Sequence, residues 1–183
     1  MKRYIYLLIL LSIFTFCKQT NNTELIHNNH QVDNRSSVEQ KTTYYLIRHA
    51  EKDRTNPKNE DPNLNSAGLK RAERWATYFE DYQIDQIYTT KYLRNKETIA
   101  NTALQKNIEP TVYDPHNIEI ERFLKETQGK NVLIVGHSNT IPTLVNTLIG
   151  REEYKDMDDN DNSTLFKVSI KGEDTIAETI SVK

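Results

Sequence analysis

Two short runs constrain this chain more than any other feature: Thr43 to Ile47 (Thr-Tyr-Tyr-Leu-Ile) and Asn131 to Val135 (Asn-Val-Leu-Ile-Val). A strand with one solvated face alternates polar and apolar residues. A continuous run predicts a strand covered on both faces, which is the habit of parallel sheets flanked by helices.

The patterns around these runs agree with that reading. A helix is predicted to start around Asn65 and Ser66, with Leu69, Ala72, Trp75, Ala76 and Phe79 as its apolar stripe. Ile84 to Thr89 reads as a short strand. A helix from about Tyr92 to Gln105 follows, carrying Leu93, Ile99, Ala103 and Leu104. A brief strand at Thr111 to Tyr113 precedes a helix from about Asn117 to Gln128, which Gly129 can close. After the second buried run, Ile141, Leu144, Val145, Leu148 and Ile149 keep helical spacing, and Gly150 ends that helix. Thr164 to Ile170 and Thr175 to Val182 form a closing hairpin around Lys171-Gly172-Glu173. The expected fold is α/β, a three-layer sandwich with a mostly parallel central sheet. The 183 residues suffice for one such domain, placed at 42–183.

The first residues read differently. Lys2 and Arg3 precede an uncharged apolar run from Tyr4 to Phe16, which is short for a bilayer span and fits the apolar core of a signal peptide. Cys17, the only cysteine, ends that run and resembles the lipid-modified cysteine of bacterial lipoproteins, although Phe16 before it is larger than usual. Residues 1–17 are therefore expected to be a signal peptide with its lipidation site. Residues 18–41, rich in Asn, Gln, Ser and Thr, read as a flexible tether in which His27 and His30 are solvated. The expectation is a domain lipid-anchored in a bacterial cell envelope, periplasmic or surface-facing. Otherwise it makes no membrane contact.

Parallel strands point their carboxyl ends at one edge of the sheet, where ligands bind. Arg48 and His49 end the first buried run, and His137 follows the second. Arg94 lies in the first turn of the helix after the Ile84–Thr89 strand. Four basic groups thus converge on one crevice. Two guanidiniums and two imidazoles suit a dianion, and the helix start after His137, with Ser138, adds an anion site. Cationic neighbours disfavour a further positive charge and leave His49 neutral, hence nucleophilic. Arg48, Arg94 and His137 can then hold the oxygens of a transferring phosphoryl group.

Tyr45-Leu46-Ile47-Arg48-His49-Ala50-Glu51-Lys52, Leu64-Asn65-Ser66-Ala67-Gly68 with Arg71-Ala72, Arg94 with Glu97-Thr98-Ile99-Ala100, and Val135-Gly136-His137-Ser138-Asn139-Thr140 resemble the histidine phosphatase superfamily, in its small phosphatase branch. The resemblance implies a phosphoglycerate mutase-like fold, a phosphohistidine at His49, a phosphate pocket of Arg48, Arg94 and His137, and no metal or other cofactor. It also implies an acid for the leaving group. Asp114 is the first choice for that role, at a strand end, and Glu51 the second.

The substrate is expected to be a small phosphorylated molecule. Interspersed acids and bases, with a formal charge of −2, give no nucleic-acid footprint. A serine hydrolase is excluded by chain order, because no histidine follows Ser138. A metal-dependent phosphatase using His49, His137, His116 and Asp114 would set its metal among repelling arginines. A mutase of the same family needs a lid, for which the span from Arg94 to Asp114 is too short. A non-catalytic phosphate-binding module would not need both histidines. Asp156, Asp158 and Asn160 imitate a calcium loop, but Asp161 and Lys167 occupy its glycine and glutamate positions. The Arg151–Asn162 segment is accordingly expected as a solvated surface loop.

Overall fold

A computed structural model describes residues 40–183. The signal peptide, Cys17 and nearly all of the 18–41 tether, with His27 and His30, lie outside the described residues. Six strands and four helices follow in the order β1 (Thr42–Arg48), α1 (Ser66–Tyr78), β2 (Gln86–Thr89), α2 (Leu93–Lys106), β3 (Thr111–Val112), α3 (Ile120–Thr127), β4 (Asn131–Gly136), α4 (Thr140–Ile149), β5 (Thr164–Lys171) and β6 (Asp174–Ser181). They build one mixed sheet of order β3-β2-β4-β1-β5-β6. The first four strands in that order are parallel, β5 runs antiparallel to β1, and β6 pairs antiparallel with β5. Among the described residues no helix is long and apolar enough to cross a membrane.

The continuous apolar runs are covered on both faces. Tyr44, Leu46, Val132 and Ile134 pack on one side with Phe123, Ile141, Leu144, Val145 and Leu148 of α3 and α4. Tyr45, Ile47, Leu133 and Val135 pack on the other with Trp75, Phe79, Ile99 and Ala103. Successive strand residues point to opposite faces, so a run without polar alternation feeds two cores. Trp75 is 1 % exposed and stacks on Phe79 at 6.0 Å. Trp75→Ala should therefore lower stability by about 3–5 kcal/mol through lost transfer energy and an unfilled cavity. Denaturant titration of both proteins checks this, and a change below about 1 kcal/mol would contradict the packing described.

Three expectations are corrected. On α1 the buried line runs through Gly68, Ala72, Trp75 and Phe79, whereas Leu69 is 52 % exposed. Ala72, Trp75 and Phe79 of the predicted stripe are buried, and at its start Gly68 takes the inward place of Leu69, where it passes close to the chain at Glu51: a Cβ there would lie 2.2 Å from the Glu51 carbonyl oxygen. On α2, Leu93 and Leu104 are 40 % and 83 % exposed, and the inward face is largely polar. Last, α3 starts at Ile120 instead of Asn117, since Asp114 ties its own following turn by accepting from the His116 amide and the Asn117 side chain.

Register brings three strand ends together. Arg48 lies opposite Gly136 across β1–β4, and Thr89 opposite Val135 across β2–β4. The residues that follow, His49, His137 and Thr90, emerge side by side at the carboxyl edge of the sheet.

Candidate active site

His49 is 4 % exposed and Arg48 3 %. The His49 amide extends the ladder by donating to the Gly136 carbonyl at 3.0 Å. Its ring Nδ1 lies 2.8 Å from the Ala50 carbonyl oxygen. A carbonyl only accepts, so Nδ1 carries the proton and Nε2 keeps its lone pair. The surrounding chain is held from several sides. The Asn162 side chain donates to the His49 carbonyl at 2.8 Å, and the Ala50 amide donates to Thr98 Oγ1 at 2.8 Å.

His137 stands beside it, with ring centroids 5.4 Å apart. Its backbone amide donates to Thr140 Oγ1, and its Nε2 lies 3.3 Å from Thr90 Oγ1. Arg94 is 9 % exposed and stacks on the Tyr92 ring at 4.3 Å, while Tyr92 packs edge-on to His137 at 5.2 Å. One aromatic ring thus props both groups. The polar face of α2 has its reason here: Asn95, fully buried, donates to the Gly136 carbonyl, and Thr98 donates to the Arg94 carbonyl. These side chains tie the junctions after β1, β2 and β4 into one frame.

Burial and neighbouring positive charge shape the titration of both imidazoles. Burial above all, then Arg48, Arg94 and His137, pushes His49 down to about 3. Burial, Arg94, His116, Arg48 and Lys52 push His137 down to about 4. Both rings are neutral at physiological pH, and the fixed charge of the pocket comes from the guanidiniums. Such a pocket stabilises an incoming dianion and leaves a nucleophilic nitrogen beside it.

The model of the histidine phosphatase superfamily (branch 1) matches residues 44–122. That span contains Arg48, His49 and Arg94, and the fold around it has solved counterparts. SixA of Agrobacterium tumefaciens superposes with a TM-score of 0.57 at 23 % identity, over 76 % of this chain and 98 % of its own. Alpha-ribazole phosphatase of Shigella flexneri gives 0.60 at 16 %, over 76 % and 96 %. Phosphoglycerate mutase of Bacillus anthracis gives 0.60 at 16 %, over 80 % and 95 %. The family model covers less than half of the chain, from β1 to the start of α3. No curated protein matches the chain in sequence. The likenesses to solved structures establish the phosphoglycerate mutase-like fold.

The two carboxylates singled out as acids fall on different sides of the histidine pair. Asp114 is exposed and lines a cleft of about 540 Å³ with Tyr92, Arg94, Tyr113, His116 and His137. Its carboxyl sits below the usual range because Asn117 and the His116 amide donate to it. Glu51 lines a second cleft, of about 500 Å³, with His49, Lys52, Arg54 and Asn65. Arg71 Nε donates to both Glu51 oxygens, at 2.9 and 3.0 Å. Burial alone would raise this carboxyl, but Arg71 more than offsets that and holds it low. Glu51 is thus a tie between the β1 loop and α1. Ser138 gives its carbonyl to the Met157 amide, and Asn139 and Thr140 line the cleft instead of it. Among the described residues no three His, Cys, Asp or Glu side chains are grouped to hold a metal ion.

The Arg151–Asn162 segment is exposed at most positions, as expected from its composition, but part of it also turns into the site. Its carbonyls at Asp158 and Asp161 accept from Arg48 NH1, and the Asp159 carboxylate takes Arg48 NH2 at 2.8 Å. Polar composition hid this, because its partner Arg48 is more than a hundred residues away in sequence.

The depressed imidazoles have a consequence for stability. The unfolded chain binds protons at both histidines below about 6.5, whereas the folded chain binds them only near 3 and 4. Their contribution is complete above 6.5 and falls as pH drops, by about 2 kcal/mol per histidine on reaching pH 5. Urea titrations at pH 7 and 5 should show this loss in wild type. Replacing His49 by asparagine should shrink it, and an unchanged loss would contradict the assigned protonation.

Proposed function

We propose that this protein is a phosphomonoesterase that works through a phosphohistidine at His49 and needs no metal. The observation that carries the reading is the state of His49: neutral, its Nδ1 proton held by Ala50, its Nε2 free, between two buried guanidiniums. In the first step Nε2 attacks phosphorus, the P–N bond forms and the ester P–O bond breaks. Arg48, Arg94 and His137 hold the oxygens on which charge spreads. The leaving oxygen takes its proton from solvent, because Asp114, the first choice of acid, is held as a carboxylate. Asp114 is ionised at rest, which favours substrates whose leaving group needs little help, aryl phosphates among them. Water then attacks phosphorus, a P–O bond forms as the P–N bond breaks, the protons of the water leave with inorganic phosphate, and His49 returns to its starting tautomer.

Hydrolysis is favoured over mutase chemistry by the short connection from α2 to β3 and by two open clefts beside the histidines. One structural neighbour, the protein histidine phosphatase SixA, is complexed with tungstate, a tetrahedral oxyanion like the group this pocket suits. The test is turnover of p-nitrophenyl phosphate by the full-length protein in excess chelator. Undiminished activity is expected. Activity that appears only on adding zinc or manganese overturns the reading.

A lipid tether at Cys17, holding the domain at a bacterial envelope, belongs to the same proposal and rests on the sequence of residues 1–41. Metabolic labelling with an alkyne fatty acid should mark wild type and spare Cys17→Ser. Equal labelling of both would remove the tether from the account.

A further inference from the structure

Arg48 is the buried guanidinium at the strand end beside His49, yet much of its donor capacity is already engaged. NH1 donates to the Asp158 carbonyl at 2.8 Å and to the Asp161 carbonyl at 3.3 Å. NH2 donates to Asp159 Oδ1 at 2.8 Å. The other oxygen of the same carboxylate meets Arg54 NH2 at 2.8 Å. Asp159 therefore bridges two guanidiniums at the mouth of the cleft that also holds His49 and Lys52.

These contacts differ in kind. The two carbonyls belong to the loop backbone and fix the orientation of Arg48 without any help from the Asp159 side chain. The carboxylate lies at the surface: its side chain is 65 % exposed and Arg54 is 54 % exposed, whereas Arg48 is 3 % exposed. An exposed carboxylate gains little from such pairing and can be exchanged for another anion that reaches the same guanidiniums. A carboxylate spanning two guanidiniums also has the geometry of two oxygens of a phosphate.

We propose that Asp159 is a resident anion in the phosphate site, displaced when a phosphoryl group arrives, and that Arg54 is a third phosphate-binding guanidinium. This rests on the phosphate-site reading above. In the substrate-free protein the carboxylate occupies Arg48 NH2 and cancels part of the positive field. On binding, phosphate takes NH2, Asp159 swings into solvent, and Arg54 stays within one anion's width of Arg48 to join the new dianion. Asp159 thereby sets how strongly the site holds free phosphate, which is also its product. Both guanidiniums hold the carboxyl well below its usual range, so it stays an anion throughout.

The test is calorimetric titration of the full-length protein with inorganic phosphate, alongside phosphoenzyme trapping at His49. Asp159→Asn keeps the side-chain volume and removes the charge, and should bind phosphate at least about fivefold tighter than wild type. Adding Arg54→Gln to that variant should reverse most of the gain. Equal or weaker binding by Asp159→Asn would make the carboxylate a strut for Arg48 and overturn the inference, as would a double variant as tight as the single one. If neither protein binds phosphate and His49 does not label, the phosphate-site reading itself has failed. If His49 labels while affinity ignores Asp159, only the present inference has failed.

Discussion

His49→Asn should lose phosphatase activity by at least about a thousandfold, because it removes the Nε2 lone pair that attacks phosphorus. The substitution is close in volume and keeps a polar side chain that can still donate to the Ala50 carbonyl. Thermal unfolding at neutral pH should therefore shift little, separating lost chemistry from lost fold. Steady-state turnover with p-nitrophenyl phosphate measures the effect. A variant within about tenfold of wild type would place the nucleophile elsewhere.

Arg94→Gln is expected to cost about a hundred- to a thousandfold in kcat, the range found when one preorganised transition-state donor is removed. Three features of Arg94 justify that size. It is nearly buried, it is stacked on Tyr92, and it comes from the first turn of α2, which Asn95 and Thr98 bolt to β4 and the β1 loop. Little rearrangement is therefore available to compensate. Lysine at this position would keep the charge but lose the planar fork and the stacking, so Arg94→Lys should remain impaired. Loss of the guanidinium also removes the strongest charged influence that keeps His137 neutral. In Arg94→Gln the His137 imidazole should accordingly titrate closer to its ordinary value, which NMR of the ring protons can follow. A variant with unchanged kcat and unchanged His137 titration would contradict the assigned role.

Much of this architecture was legible because burial writes periodic patterns. The apolar runs in β1 and β4 announced two covered faces, and Ile141 to Ile149 announced α4 and its glycine stop. Once those strands were placed, Arg48, His49, Arg94 and His137 followed from which ends they occupy. The parts that escaped obey other physics. The inner face of α2 carries Asn95, Thr98 and Thr102, since it meets backbone groups of the site as well as core. An apolar stripe was therefore the wrong pattern to seek, and Leu93 and Leu104 were misplaced. Tyr92 and Thr90 act by propping or contacting His137, and neither has a motif apart from adjacency to Arg94. The acidic loop had the composition of a solvated turn, yet Asp159 and Asn162 reach Arg48 and His49. Pairings across such a distance in the chain leave no local signature.

The most direct test of the account is to quench the full-length protein during turnover in alkali and locate the phosphoryl group by mass spectrometry. Phosphohistidine is acid-labile, so a parallel acid quench provides the control. The account predicts one added phosphoryl group on the peptide containing His49, stable in alkali and lost in acid. A phosphoryl group on another residue, or turnover with no phosphoenzyme under conditions that slow its hydrolysis, would contradict the central role given to His49.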